Sequence, residues 1–379
     1  MIKTSAARAA AGACLLALAG PALAVDVAAG DWKLSVGGFI NAYYTHSSCK
    51  GDQTVGGAAL ATQALGCGGK DSSTVIGNGL LPNALITTAS TQQEGWDINA
   101  TLMIGASTAT GSSIANNSDV DVRQGFVTFG NAGAGTFKFG RDYGMFGRNA
   151  ILSDMTLIGT GATTAATQRS RVTLGHIGAG YTYLGHYGQL AYTSPDMGGF
   201  TAAVGLMSPV DGSSTALADD QPQVQAQLQY AGGGAKVWGG LKNQKFKDAT
   251  NGDFTMSGYE VGASYGIGGF GLLANVQTGK GIGVLADGDA GDLKQTNVLL
   301  QGTYDITPKV KVGLSWGQSK MKDGTGTDLR SNANTTGGLY FKLTKALTLV
   351  GELSHTESKD FDGGKAKLDG VSLGAILFF

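Results

Sequence analysis

The chain has 379 residues, only 15% of them charged, with 63 glycines, 6 prolines and a formal net charge of −1. That balance excludes the strongly basic face a nucleic-acid binder needs. Beyond the first 24 residues no stretch holds the ~18 consecutive apolar residues of a membrane helix, which excludes a helical membrane protein.

Residues 1–24 have the pattern of a cleaved export signal. Lys3 and Arg8 form a basic start, Ala9 to Gly20 an apolar stretch, and Ala22-Leu23-Ala24 a small-residue cleavage site. The mature chain, 25–379, is then one domain without a linker or composition break. Loss of Lys3 and Arg8 leaves 25 basic against 28 acidic residues, a net charge of −3. Cys14 leaves with the signal. Cys49 and Cys67 remain in one glycine-rich polar stretch, in a compartment that permits disulfides, and are expected to form a bridge.

From Trp32 onward, apolar and polar residues alternate with period two. Trp96, Ile98, Ala100, Leu102, Ile104 and Ala106 interleave with Asp97, Asn99 and Thr101. Val224, Ala226, Leu228 and Tyr230 interleave with Gln225, Gln227 and Gln229. Tyr259 to Tyr265 and Val310 to Trp316 repeat the pattern, while Leu299 breaks the polar side of the stretch 297–304. These are strands with one apolar and one polar face. Sixteen are expected, starting near 32, 83, 96, 120, 136, 186, 200, 223, 235, 255, 270, 294, 310, 333, 347 and 368; counts of 14 and 18 stay open.

The connections separate a membrane barrel from a soluble sandwich. Short turns (93–95, 232–234, 266–269, 307–308, 344–345) alternate with long polar loops near 46–81, 108–119, 208–222, 279–293, 320–332 and 357–365. Short turns at one end and long loops at the other are the membrane-barrel pattern. Trp96, Phe200, Tyr230, Tyr265, Phe270, Tyr304, Phe341 and Phe379 fall on the apolar face beside the short turns, with Tyr44, Tyr259 and Trp316 nearer the long loops. Aromatic rings at two fixed depths form interfacial girdles. The expected fold is therefore all-β, a transmembrane antiparallel β-barrel of about sixteen strands, wide enough for a water-filled lumen.

Four stretches carry a family resemblance. They are Trp32-Lys33-Leu34-Ser35-Val36-Gly37-Gly38-Phe39, Phe139-Gly140-Arg141-Asp142-Tyr143-Gly144, Tyr192-Thr193-Ser194-Pro195 with Gly198-Gly199-Phe200, and the terminal Val371-Ser372-Leu373-Gly374-Ala375-Ile376-Leu377-Phe378-Phe379. Together they resemble the opening strand, fifth strand, third periplasmic hairpin and last strand of the Gram-negative general porins. The resemblance implies a homotrimer in the outer membrane, among lipid and lipopolysaccharide, passing small hydrophilic solutes without a cofactor. It implies a third loop, roughly Gly144 to Gly185, folded inward to narrow the pore. It places Arg123 on the pore wall and Arg141 at the trimer contact. It also implies that barrel-assembly machinery reads the final strand, with Phe379, Leu377 and Leu373 on its outer stripe.

Fixed charges act most strongly where a pore is narrowest. The expected constriction residues are Arg123, Arg148, Asp154, Arg169 and Arg171, with Asp154 opposing a basic wall or else capping a short helix at 149–153. Strand parity puts Lys138, Gln225, Gln227, Gln229, Glu260, Asn275, Gln301 and Glu352 on the pore lining. From Arg123 to Arg171 six basic residues face two acidic ones, Asp142 and Asp154, an excess of +4 that predicts a modest anion preference. Asp287, Asp289 and Asp292 lack the following glutamate of a calcium loop and are expected in a solvated surface loop. The four histidines have neither metal-site nor catalytic spacing, so no metal and no enzyme activity is expected. Two other readings stand beside the diffusion pore. Tyr181, Tyr183 and Tyr187 could form the track of a substrate-selective channel, and a non-conducting surface barrel or adhesin would share the fold.

Overall fold

The computed structural model describes residues 24–113, 120–170, 172–250 and 252–379, without the side chains of 168–170. The export signal lies almost wholly outside them. Sixteen antiparallel strands form a closed barrel. They are β1 Trp32–Gly51, β2 Asn83–Gln93, β3 Trp96–Ala106, β4 Asp121–Asn131, β5 Gly135–Tyr143, β6 His186–Thr193, β7 Phe200–Met207 and β8 Gln223–Gly232. The second half runs β9 Ala235–Asp248, β10 Phe254–Ile267, β11 Phe270–Lys280, β12 Lys294–Thr307, β13 Val310–Met321, β14 Leu329–Lys342, β15 Leu347–Asp360 and β16 Lys365–Phe378. β16 closes on β1 from Ala366 opposite Gly51 to Phe378 opposite Phe39. No sheet edge is left in the wall, as a bilayer requires.

Three further short strands, Val25–Ala29, Ser72–Gly77 and Ala216–Ala218, hang on the ends of β1 and β9. The short turns follow local chemistry. Gly233-Gly234 and Gly268-Gly269 both have positive φ at each residue, which the right-handed twist of a two-residue hairpin demands.

Alternation sets what each face meets. Leu102, Leu190, Leu228, Val261, Leu272 and Leu314 point out and are exposed, whereas Asn41, Gln277, Asn297, Asn334, Thr336 and Thr356 point in and are buried. The outward aromatics near the short turns touch one another along the rim: Phe200 and Tyr230 have ring centroids 4.7 Å apart, and Phe270 and Tyr304 4.4 Å. At each aromatic pair the two residues are cross-strand partners, the geometry in which rings on a sheet face interact.

The wall on the long-loop side is taller than the sequence pattern indicates. β1 runs on to Gly51, β13 to Met321 and β15 to Asp360, and β14 starts at Leu329 rather than 333, so the ends of the expected loops at 46–81, 320–332 and 357–365 are strand. Above the bilayer the outward face meets water, so the ladder continues after its apolar signature has stopped.

Cys49, near the end of β1, is bridged to Cys67, just after a short helix at Gln63–Gly66. The bridge closes the first loop, whose Ala59, Leu60 and Ala61 are fully buried over the barrel mouth. Opening it in a Cys67→Ser variant is expected to loosen that loop by about 3 kcal/mol, on the chain-entropy estimate, and to leave the barrel ladder intact. Proteolysis at 52–71 should accelerate while heat-resistant migration persists; loss of the barrel itself would show that the bridge is not local.

Candidate functional site: a lumen crossed by its third loop

The segment from Gly144 to Gly185 leaves the top of β5, enters the barrel and returns to β6. It contains a helix Arg148–Ser153, a 3-10 turn Met155–Ile158 and a helix Ala165–Ser170. Polar side chains of the wall hold it by its own backbone. Gln225 Oε1 accepts from the N–H groups of Met145 (2.6 Å) and Phe146 (3.0 Å), and Gln227 donates to Met145 O at 3.1 Å. Asn149 donates to Gln229 at 3.2 Å, and Gly147 N–H to Glu260 Oε2 at 3.0 Å. Gln301 accepts from Met155 N–H at 2.6 Å and donates to Ser153 O at 3.0 Å.

On the far wall, Glu352 Oε2 accepts from Thr160 N–H (2.7 Å), Thr160 Oγ1 (2.9 Å) and Gly161 N–H (2.8 Å), while Tyr340 donates to Oε1 at 2.6 Å. The fit there is close: a Cβ on Gly159 would lie 2.0 Å from Glu352 Oε1, so a larger residue would displace the carboxylate.

The residues expected to line open water thus face inward as parity requires, yet Gln225, Gln227, Gln229, Glu260, Gln301 and Glu352 bind the loop. Asn275 takes neither part; its carbonyl accepts from the indole of buried Trp238 at 3.2 Å. A buried backbone segment needs partners for its N–H and C=O groups, and the polar wall supplies them. Apolar contacts complete the seat. Ile151, Leu157, Leu174 and Tyr181 of the loop cluster with Trp238, Leu273, Leu299 and Phe378 of the wall. Leu299 and Trp238 are apolar residues among the polar ones of the inward face, the sequence signal that could have located this seat.

Charges fall into separate groups. Arg123 points inward on β4, where Met103 opposes Gln124 but Gly105 opposes Asp121, a bulge that turns both Arg123 and Gln124 toward the lumen. Its guanidinium pairs with Asp121 at 2.7 Å and donates to Tyr183 at 3.3 Å. Asp121 precedes the stretch 123–171, so the excess of +4 counted there overstates the free charge.

Lys138 and Arg148 both pair with Asp142, Arg148 at 3.3 Å, and Arg148 also grips Tyr143 O (2.6 Å) and Gly144 O (3.1 Å). Two cations thus meet one carboxylate at the root of the loop.

Asp154 does not oppose the basic wall across water, as the first of its two expected roles required. Its side chain is fully buried and accepts from Thr156 N–H (2.8 Å) and Tyr181 (2.7 Å), with His176 Nδ1 at 3.2 Å. The alternative role, as a cap, is met in altered form, because it caps the turn that follows it rather than the helix before. Burial pushes this carboxyl up, but His176 and the donated hydrogen bonds outweigh it and hold it below the usual carboxylate range.

Arg141 is exposed on the outer face with Phe137 and Phe139. Arg171 and the Arg169 side chain lie outside the described residues.

Of the three acidic residues expected in a solvated loop, Asp289 and Asp292 are exposed and Asp287 is not. Asp289 accepts from the N–H groups of Val284, Leu285 and Ala286 at 2.6, 2.8 and 3.0 Å, and Asp287 is buried against the wall. Asp292 pairs with Lys280 at 2.9 Å and is exposed.

A closed barrel with a polar, loop-narrowed interior meets its match in sequence. The family model for Gram-negative porins aligns with residues 9–360. The chain belongs to the Gram-negative porin family. It is an outer-membrane channel for passive diffusion and not an enzyme. Solved porin-fold structures cover nearly all of it at low identity. An anion-selective porin from Comamonas acidovorans is 18% identical with a TM-score of 0.67, covering 92% of this chain and 100% of its own. The outer membrane channel DcaP of Acinetobacter baumannii is 16% identical with a TM-score of 0.66, covering 93% and 99%. OmpT of Vibrio cholerae, in its trimer form, is 13% identical with a TM-score of 0.57, covering 92% and 99%. Curated proteins gave no significant sequence match.

Proposed function

We propose that this porin is a homotrimeric, modestly anion-preferring channel for small hydrophilic solutes. One observation carries the preference: two cations, Lys138 and Arg148, converge on Asp142 at the root of the inward loop. Arg123 is balanced by Asp121, and so supports the field less than Lys138 and Arg148 do. The similarity in fold to an anion-selective porin agrees with this sign. The constriction is assigned to Arg148 with Lys138 beside it; Arg169 and Arg171 keep the role proposed from sequence.

Arg141 is assigned to the trimer contact. Its cross-strand partners are Gly125 and Gly188, so an outward guanidinium stands in a notch without side chains, where a neighbouring copy could meet it rather than lipid. A structural neighbour described in trimer form supports the same assembly. Residues 1–24 are the export signal of this porin, barrel-assembly machinery reads its terminal strand, and lipopolysaccharide surrounds its outer rim.

In a planar bilayer the purified protein should give current steps in groups of three. Folded protein that never conducts would remove the channel; single, ungrouped steps would remove the trimer.

A further inference from the structure

The loop between β11 and β12, residues 281–293, folds into the mouth instead of standing in solvent. Its Asp287 carboxylate is held by three side chains of the wall. Lys242 of β9 pairs with Oδ1, while Tyr187 of β6 and Gln223 of β8 donate to Oδ2, each at 2.8 Å. All three donors are at least nine-tenths buried, at 2%, 4% and 0% exposure, and Asp287 itself is 4% exposed. The Lys242 ammonium also sits over the Phe146 ring of the third loop, 4.7 Å from its centroid.

The two halves of this contact differ in kind. The donors stand on strands of the closed wall and are oriented by it: Gln223 also donates to Gln244 at 2.9 Å. The acceptor stands on a loop tip with positive φ at Gly288 and Gly291, and that tip is folded by its own hydrogen bonds to Asp289. A rigid ammonium, amide and phenol converging on one carboxylate form a carboxylate site in the wall. The loop's own carboxylate fills it.

We propose that Lys242, Gln223 and Tyr187 form a binding site for solute carboxylates in the outer half of the lumen, and that Asp287 competes for it. A small organic acid arriving from the loop side replaces Asp287, and the pore takes up one anion for one released carboxylate. The proposal rests on the anion-preferring channel above and names its favoured solute class.

The probe is succinate added on the loop side during chloride-current recordings, with sulfate at equal charge as the control. Asp287→Asn removes the carboxylate paired with Lys242. It should shift the reversal potential further toward chloride, and succinate should interrupt the current at lower concentration than in the natural protein. Lys242→Gln should lose the interruption. Asp287→Ser, which also removes the carboxylate, gives a second measure should the asparagine variant not form barrels. An Asp287 variant with unchanged reversal potential and unchanged succinate response would overturn the competition. Interruption that survives Lys242→Gln would overturn the site, and equal interruption by sulfate would overturn its preference for carboxylates. Absence of current in every protein, the natural one included, would overturn the channel itself.

Discussion

Replacing Glu352 with alanine is expected to free the third loop from the far wall and raise single-channel conductance. The carboxylate is the acceptor for Thr160 N–H, Thr160 Oγ1, Gly161 N–H and Tyr340, all buried in the folded barrel. Each donor left without a partner costs roughly 1–3 kcal/mol in a dry site. Water entering from the lumen would satisfy some of them, so the lower end applies. The loop seat has other anchors at Gln225, Gln301 and Glu260, so the barrel survives while the loop segment around Thr160 detaches. The signature is a larger and noisier open-channel current with unchanged heat-resistant migration. Glu352→Gln keeps one acceptor oxygen and should fall between the two. Equal conductance in all three would mean that this anchor does not set the pore size.

Deleting Phe379 should lower the yield of folded barrel in the outer membrane and leave protein in the periplasm. The terminal residue is part of the closure: Gly38 N–H donates to Phe379 O at 2.8 Å and Phe379 N–H to Gly38 O at 3.0 Å. Its ring stands on the outer stripe with Leu377 and Leu373, all exposed. The next residue inward, Phe378, packs on Phe39 with ring centroids 5.8 Å apart. The deletion therefore removes two closing hydrogen bonds and an outward aromatic, and moves the chain end onto an inward-facing residue. Fractionation of the cell envelope measures it, and an unchanged outer-membrane yield would show that the closure tolerates a frayed end.

The barrel was legible because each strand carries its own period-two record, and all sixteen begin within a few residues of the expected positions. Strand ends on the long-loop side were not. At Met321 and Asp360 the outward neighbours are lysines in water, and no alternation remains to mark where pairing stops. Inward parity was legible too, at Gln225, Glu260 and Glu352, but its purpose was not. Whether an inward side chain meets water or a returning loop depends on a segment far away in sequence, as with Glu352 and Thr160. The same non-locality hid the partners of Asp154 and Asp287. Asp121 stood just before the stretch in which charge was summed, and Asp287 looked like a solvent-facing acid until the loop's fold brought it to Lys242.

The most direct test of the central claim is the reversal potential under a KCl gradient. Charges at the mouth beyond ~8 Å are largely screened at physiological ionic strength, whereas Lys138 and Arg148 lie at the root of the inward loop. The natural protein should therefore prefer chloride modestly, less so as salt rises, and Lys138→Gln should weaken that preference by removing one of the two cations on Asp142. A cation-selective natural protein would contradict this account.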